Sequence, residues 1–519
     1  MIITKYTHNF KVVCHNKEEL DKTTDFANAK LGLYDWIKLN GRKQIWGLKT
    51  KFYIRESDKL NGNFNIENTF RFPLTILDQY LEHIHGLKYE VAHHHYQIET
   101  HPSLIYPELK EGFPPKPNQI PAMEFLLSDL PLHKIVTMRP GDGKTYTSLR
   151  KIALARKRTV LLLSAREENT WVKDADKFYH NAKDCIFLIN TTKTLCKVLA
   201  SPDIYRQSIL SISIDVMRNY LTAWECCHSA KDIDLFLVKY TVQPHMFYQH
   251  LRAEIKVADE VHKNIHFQFR SFLQTDVPMM ISLSATLSSN LVFYDNLYGL
   301  IYPLKDRYVP DTIDKNADVV GIWYHTSLTP PAHCKNNKGM YSHVIYEKYI
   351  MKNPKRLETY LEMILDITYK IFVANYIENQ VLLILAATTQ MCDLIADALK
   401  TKFADYGFSI SPYYEKHDKS VLHSNNMIPS TPTSAGEGVD IKGLVKVLNT
   451  VAVNRKEPNI QHMGRLRKVL EIFPGVVPGY FYILSQEIPK HRYYNKERQA
   501  SLAPYAKSMR MVQSHFRLP

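Results

Sequence analysis

Apolar and polar positions follow two different rhythms along the chain, with a break near residue 115. Ahead of the break, Ile2–Cys14 alternates with the period of a strand and Lys17–Lys30 has helical spacing. Phe52–Arg55 reads as a strand, Leu74–Ile84 as a helix and Tyr89–Ala92 as a further strand. These elements predict a small α+β module. The break itself, Glu111-Gly112-Phe113-Pro114-Pro115-Lys116-Pro117-Asn118-Gln119, is dense in proline. Proline fixes its own φ and restricts the residue before it, so an extended linker is expected.

Beyond the linker, short apolar runs at Lys134–Thr137, Val160–Leu163, Ile209–Ile212, Ile255–Ala258 and Met280–Leu283 alternate with amphipathic helical stretches. Continuous apolar runs of this length are typical of strands buried on both faces of a parallel sheet. Ala317–Trp323, Val381–Leu385, Val445–Leu448 and Gly479–Leu484 repeat the rhythm. The prediction is an α/β chain: an accessory α+β domain over 1–112, one parallel-sheet domain over 113–310 and a second over 311–486. A basic tail over 487–519, helical in part, follows.

Composition narrows the class. Of 519 residues, 45% are hydrophobic and 23% charged, which excludes a mainly disordered or collagen-like chain. Lys and Arg number 66 against 52 Asp and Glu, and the net charge of +14 suits a polyanionic partner such as nucleic acid. No apolar run reaches the ~18 residues that span a bilayer, so no membrane association is expected. The N-terminus lacks the basic start and apolar stretch of a signal peptide. Seven scattered cysteines with no CxxC fit a reducing, cytoplasmic compartment better than a disulfide framework.

Five segments carry candidate chemistry. In Arg139-Pro140-Gly141-Asp142-Gly143-Lys144-Thr145, which follows a strand and precedes the helical run Tyr146–Arg156, the glycines let backbone N–H groups curl toward phosphate oxygens. Lys144 would reach the terminal phosphates, and the Thr145 hydroxyl would bind Mg²⁺. In Ile255-Lys256-Val257-Ala258-Asp259-Glu260-Val261-His262 an apolar strand ends in two carboxylates. Asp259 would hold Mg²⁺, and Glu260 would orient and deprotonate the attacking water. Ser284-Ala285-Thr286 closes the strand Met280–Leu283, where its hydroxyls would sense the carboxylates. Thr431–Asp440 sets Gly438 and Asp440 in a polar loop before an apolar run. In Gln461-His462-Met463-Gly464-Arg465-Leu466-Arg467-Lys468, Gln461, Gly464, Arg465 and Lys468 share one helical face, a cationic stripe suited to phosphate.

In this order the five segments resemble the motifs of superfamily 2 helicases, with Asp259-Glu260-Val261-His262 matching the DExH type. The match spans roughly residues 113–486. Gln119 stands where the family often places an adenine-reading glutamine, and Leu162-Leu163-Ser164-Ala165 resembles motif Ia, with Trp171 on the following helix. Val381–Gln390 resembles motif IV. The strand, helix, Trp46 loop, helix, strand order of the front module is similar to that of UvsW-type phage recombination helicases. Two departures stand out: Met138 replaces a small residue of motif I, and Lys468 stands where the family places a second arginine, with Arg467 adjacent.

The resemblance implies two tandem RecA-like domains that bind ATP and Mg²⁺. Gln119, Gly141, Asp142, Gly143, Lys144, Thr145 and Tyr146 would contribute from the first domain, and Gly438 and Asp440 from the second. Asp259, Glu260, Gln461, Arg465, Arg467 and Lys468 would carry the hydrolysis. His262, Ser284 and Thr286 would couple it to movement, and Ser164, Arg166, Ser213 and Thr431 would touch the nucleic-acid backbone. The implied activity is that of a monomeric ATP-dependent DNA helicase or translocase acting on branched or duplex DNA in recombination, repair or replication. It would work in the cytoplasm, the host's if the chain is phage-encoded. An RNA helicase, an ATP-gated clamp and the motor subunit of a larger complex are the alternatives.

Overall fold

The expected strand over Ile2–Cys14 is two strands. The Tyr6 N–H donates to the Asn9 carbonyl (2.9 Å) and turns the chain back on itself. β1 (Ile2–Lys5) and β2 (Asn9–Val13) are therefore an antiparallel pair. The helix Lys17–Leu31 starts at Asn16, whose side chain accepts the Glu19 N–H, and buries Phe26, Ala27 and Leu31. β3 (Gly32–Leu39) and β4 (Lys43–Lys51) form a two-stranded sheet of their own. β5 (Ile54–Glu56), β6 (Thr69–Pro73) and β7 (Glu90–His93) complete a five-stranded sheet in the order β5-β6-β2-β1-β7. The structure is a computed structural model. It describes residues 1–519 apart from 40–42, 58, 60–66, 99–102, 139–141, 286–291, 311–314, 316, 328–333, 337–338, 415–416, 419, 437–440, 454–458, 461–462, 465 and 467–468.

The proline-rich segment is not a free linker. Phe113 packs edge-on against Phe178, and its carbonyl accepts the Tyr146 hydroxyl at 2.6 Å, so this stretch lies along the domain it introduces. Next come β8 (His133–Thr137), β9 (Thr159–Leu163), β10 (Ile186–Ile189), β11 (Ile209–Ser213), β12 (Ile255–Ala258), β13 (Met279–Ser284) and β14 (Arg307–Tyr308). They form one parallel sheet in the order β10-β11-β9-β12-β13-β8-β14. β9, β11 and β12 are buried along their whole length, the signature of a sheet covered on both faces.

The front module and this sheet form one compact unit, Met1–Pro310. The turn between β1 and β2 grips the segment that leads into β13. Thr7 donates its hydroxyl to Asp276 (3.0 Å), Asn9 donates to the Thr275 carbonyl (2.8 Å), and a His8 ring nitrogen lies 2.8 Å from the Val277 carbonyl.

The second unit, Asp311–Pro519, contains β15 (Ala317–Thr326), β16 (Val381–Leu385), β17 (Met427–Ser430), β18 (Leu444–Asn449), β19 (Gly479–Ser485) and β20 (Ala506–Leu518). All pair in parallel, in the order β17-β16-β18-β19-β15-β20. Residues 487–519 were expected as a basic tail and are instead built into this unit. The helix Pro489–Leu502 buries His491 and Arg498, and β20 pairs along β15. Half-buried Met509 and Met511 alternate along β20 with exposed Arg510 and Val512, and Lys507 and Arg517 are exposed as well. Among the described residues no helix is long and apolar enough to cross a membrane.

One buried cation stands out in the first unit. Lys256, on β12, is 2% exposed, and its ammonium donates to the Thr275 (2.7 Å) and Ser271 (3.1 Å) hydroxyls. It also lies 5.6 Å from the Tyr248 ring centre, near the buried imidazoles of His8 and His133. Burial pulls its pKa down from 10.5 to about 7. Between those values the unfolded chain keeps a proton that the folded chain has released, so stability should rise as pH climbs from about 7 to about 10. Lys256→Met is expected to flatten that rise and to raise the melting temperature at pH 7, read by thermal melts across the pH range.

Candidate functional site

The first parallel sheet gathers the candidate residues at the carboxyl ends of its strands, where open α/β sheets place their ligands. β8 ends at Thr137 and the helix Lys144–Ala155 starts seven residues later. Its cap, Gly143, has φ +101°, which L-residues with a side chain rarely adopt, and a Cβ there would run into the Gln119 amide. Gln119 itself is buried, donates to the Asp142 carbonyl (2.9 Å) and accepts the Lys116 N–H (3.0 Å). In this structure it braces the turn. Tyr146 is buried and its hydroxyl is committed to Phe113; Thr145 is half-buried at the head of the helix.

The turn delivers Lys144 to the end of β12. Its ammonium donates to Glu260 Oε1 at 2.7 Å and lies 3.8 Å from Asp259 Oδ1. Asp259 Oδ1 also accepts the Glu260 N–H (2.8 Å), and Asp259 Oδ2 accepts the indole N–H of buried Trp171 (2.9 Å). Glu260 has φ +48°, a left-handed conformation that costs roughly 1–3 kcal/mol for a residue with a side chain. The next residues hold it there: the Val261 N–H donates to the Leu283 carbonyl (3.0 Å) and the Lys263 N–H to the Glu260 carbonyl (2.8 Å).

Burial opposes charge on all three groups, and their proximity decides the outcome. Lys144 is held above its ordinary range because Glu260 and Asp259 outweigh the cost of burial. Glu260 is held well below the usual carboxylate range, since Lys144, His262 and Lys263 overcome its burial. Asp259 is pushed up, by burial first, with Lys144 farther from it than from Glu260 and the Glu260 charge adding to the rise.

His262 connects this trio to β13. Its Nδ1 lies 2.9 Å from Ser284 Oγ and 3.2 Å from Glu260 Oε2. Burial brings the imidazole down to about 4, so the ring is neutral at pH 7. Glu260 Oε2 is buried without a hydrogen-bond partner among the described residues. Buried Asp259, the Glu260 Oε2 atom and the hydroxyl of Thr145, the residue after Lys144, are oxygen donors of the kind that Mg²⁺ takes while keeping several of its waters.

Ser164 follows β9 and caps the helix Ala165–Phe178. It accepts the Glu167 N–H, and Glu167 in turn accepts the Ser164 N–H. Ser213 ends β11 and leads into the helix Ile214–Glu225, with its side chain buried. In the second unit, Thr431 follows β17, and its hydroxyl donates to Ser434 Oγ (2.9 Å) at the head of the short helix Pro432–Gly436. Gly141, Thr286, Gly438, Asp440, Gln461, Arg465, Arg467 and Lys468 lie outside the described residues, as does the Arg166 side chain. Sequence reasoning missed two contributors, Glu167 and Lys263, whose ion pair measures 3.1 Å, and gave Trp171 a place without a role. The Ser164-to-Glu167 spacing of a capping box was a readable signal for the first.

No family model matches this chain, and no curated protein matches it in sequence. Solved structures do resemble it. Mss116p, lacking its NTE and C-tail and bound to single-stranded RNA and AMP-PNP, superposes with a TM-score of 0.50 at 14% identity over 78% of this chain and 75% of its own. The Hef helicase domain of Pyrococcus furiosus has a TM-score of 0.44 at 11% identity over 74% and 98%. S. cerevisiae Dbp5 bound to RNA and ADP BeF3 has a TM-score of 0.44 at 14% identity over 77% and 90%. The fold is two tandem RecA-like parallel-sheet domains, preceded here by a small α+β module.

The carboxylate pair depends on the lysine. Lys144→Ala would leave buried Asp259 and half-buried Glu260 without the ammonium they share, a loss of about 3–5 kcal/mol. Urea unfolding is expected to show that loss, and adding Glu260→Gln to Lys144→Ala should recover part of it.

Proposed function

We propose that this chain is a nucleic-acid motor that hydrolyses ATP. The observation that carries the reading is the Lys144 ammonium shared between Glu260 and Asp259 at the end of β12, directly after a glycine-capped helix start. An ammonium already seated against carboxylates is one that a triphosphate can draw away. Once Lys144 turns to phosphate, Glu260 loses its nearest cation and becomes the base available to a water. Thr145 and Asp259 would hold Mg²⁺, which would neutralise charge on the phosphates. His262, neutral and bonded to Ser284, keeps Glu260 in line with β13.

A net charge of +14 supports a nucleic-acid track, and the fold it shares with Mss116p is one seen with both a nucleotide analogue and a nucleic acid. Arg465, Arg467, Lys468 and Gln461 would complete hydrolysis from the second RecA-like domain, with Gly438 and Asp440 on the nucleotide. Ser164, Arg166, Ser213 and Thr431 would hold the backbone of the track. We favour DNA, branched or duplex, on the resemblance of the front module's sequence pattern to UvsW-type helicases, although Trp46, expected in a loop, lies in strand β4 here. RNA is the second reading, favoured by the RNA-bound state of Mss116p.

The test is steady-state ATP hydrolysis without nucleic acid and with single-stranded DNA, duplex DNA, a four-way junction or structured RNA. Stimulation is expected, strongest with branched DNA and falling steeply with salt. Glu260→Gln should lose about 10²–10⁴-fold in rate. Stimulation by RNA alone would move the assignment to RNA, and no stimulation by any of them would remove the motor reading.

A further inference from the structure

The helix Ala165–Phe178 sends two side chains into the carboxylate cluster from one face. Glu167 and Trp171 are four residues apart and so stand one above the other. Trp171 is 3% exposed, and its one polar atom donates to Asp259 Oδ2 at 2.9 Å. The two oxygens of Asp259 are thereby distinguished: Oδ1 faces Lys144 and the Glu260 N–H, while Oδ2 is fixed by an indole. An indole N–H is neutral and directional, so it sets the rotation of the carboxylate without supplying a compensating charge.

Glu167 reaches the same loop by a second route. Its Oε2 accepts the Ser164 N–H at 3.0 Å, and its Oε1 takes the Lys263 ammonium at 3.1 Å. The Lys263 N–H in turn donates to the Glu260 carbonyl at 2.8 Å, helping to hold Glu260 in its left-handed conformation. β9 and β12 are neighbours in the sheet, so the helix that follows β9 starts beside the end of β12. One rigid helix is thus bonded to both carboxylate residues, to Asp259 through its side chain and to Glu260 through the backbone at Lys263. Its first turn begins at Ser164.

We propose that this helix is the positioning element for hydrolysis, with Trp171 the positioning residue for Asp259 and the Glu167–Lys263 ion pair the positioning contact for Glu260. The assignment rests on the ATP-hydrolysis reading above. Because the same helix begins at a candidate strand contact, a shift at Ser164 would be transmitted to both carboxylates together.

The test compares the wild-type chain with Trp171→Phe, which keeps an aromatic ring and removes the N–H, and with Glu167→Gln, Lys263→Met and their double variant. Wild-type hydrolysis with nucleic acid is measured first; if it is absent, the motor reading fails and the kinetic comparison is not made. Given wild-type activity, Trp171→Phe is expected to lower kcat about 10- to 100-fold, the usual effect of losing an outer partner of a site carboxylate. KM for ATP and the melting temperature should stay close to wild type. Glu167→Gln and Lys263→Met should each lower kcat, and the double variant should lower it no further than the more impaired single variant.

A readout independent of turnover is the indole resonance of ¹⁵N-tryptophan-labelled protein that disappears in Trp171→Phe. It should shift when Asp259 is changed to Asn. If Trp171→Phe keeps kcat within twofold, or if that resonance is unmoved by Asp259→Asn, the proposal for Trp171 is overturned. If the Glu167 and Lys263 effects simply add, the ion pair does not act as one contact. A fall in melting temperature that accounts for the lost rate would make Trp171 a packing residue only.

Discussion

A buried lysine ammonium shared by one buried and one half-buried carboxylate is the interaction on which the first unit's site depends. Buried charge is costly unless it is paired, and the pairing here needs three separate pieces of chain to arrive at one point. Gly143 supplies a backbone angle that starts the Lys144 helix. β12 ends at the one place where Asp259 and Glu260 meet that helix, and the left-handed turn at Glu260 aims its carboxylate at the ammonium. Each piece is costly alone and becomes favourable only when the other two are present. A parallel sheet with its strand ends aligned brings about that coincidence.

The same logic explains why so much polar chemistry is buried around the strand ends. Asp259, Glu260, His262 and Ser284 form one continuous set of contacts with Lys144 and Trp171. Arrangements of this kind resist small displacements, because moving one member leaves another unsatisfied in a low-dielectric interior. They also respond as a whole when a strongly charged ligand competes for one member.

How far this was legible in the sequence depended on the range of the interaction. β9 and β16, runs of almost unbroken Leu, Ile and Val, announce themselves because strands covered on both faces need no polar face. β20 was hidden because Lys507, Arg510 and Arg517 interrupt its apolar positions and all but its two end residues are exposed or half-buried, so no continuous apolar run marks it. β17 was obscured by Pro429, which an edge strand tolerates and a central one does not. Lys144, Asp259 and Glu260 stood out because their chemistry is packed into short motifs. The Trp171 bond to Asp259 crosses 88 positions and exists only because β9 lies beside β12, a pairing that no local pattern encodes.

The strand order of the second unit has a consequence for how the chain is made. β15 is the first strand of its sheet to leave the ribosome, yet its neighbours are β19 and β20, the last two. At about 5–20 residues per second, β15 waits on the order of ten seconds before residues 479–485 exist to pair with it, and longer for 506–518. Throughout that interval an apolar strand containing Val319, Val320, Ile322 and Trp323 has both edges open. Assembly of this sheet therefore waits on residues far downstream of β15, and in that interval the nascent chain presents a strand that a chaperone, or a second nascent copy, could occupy first.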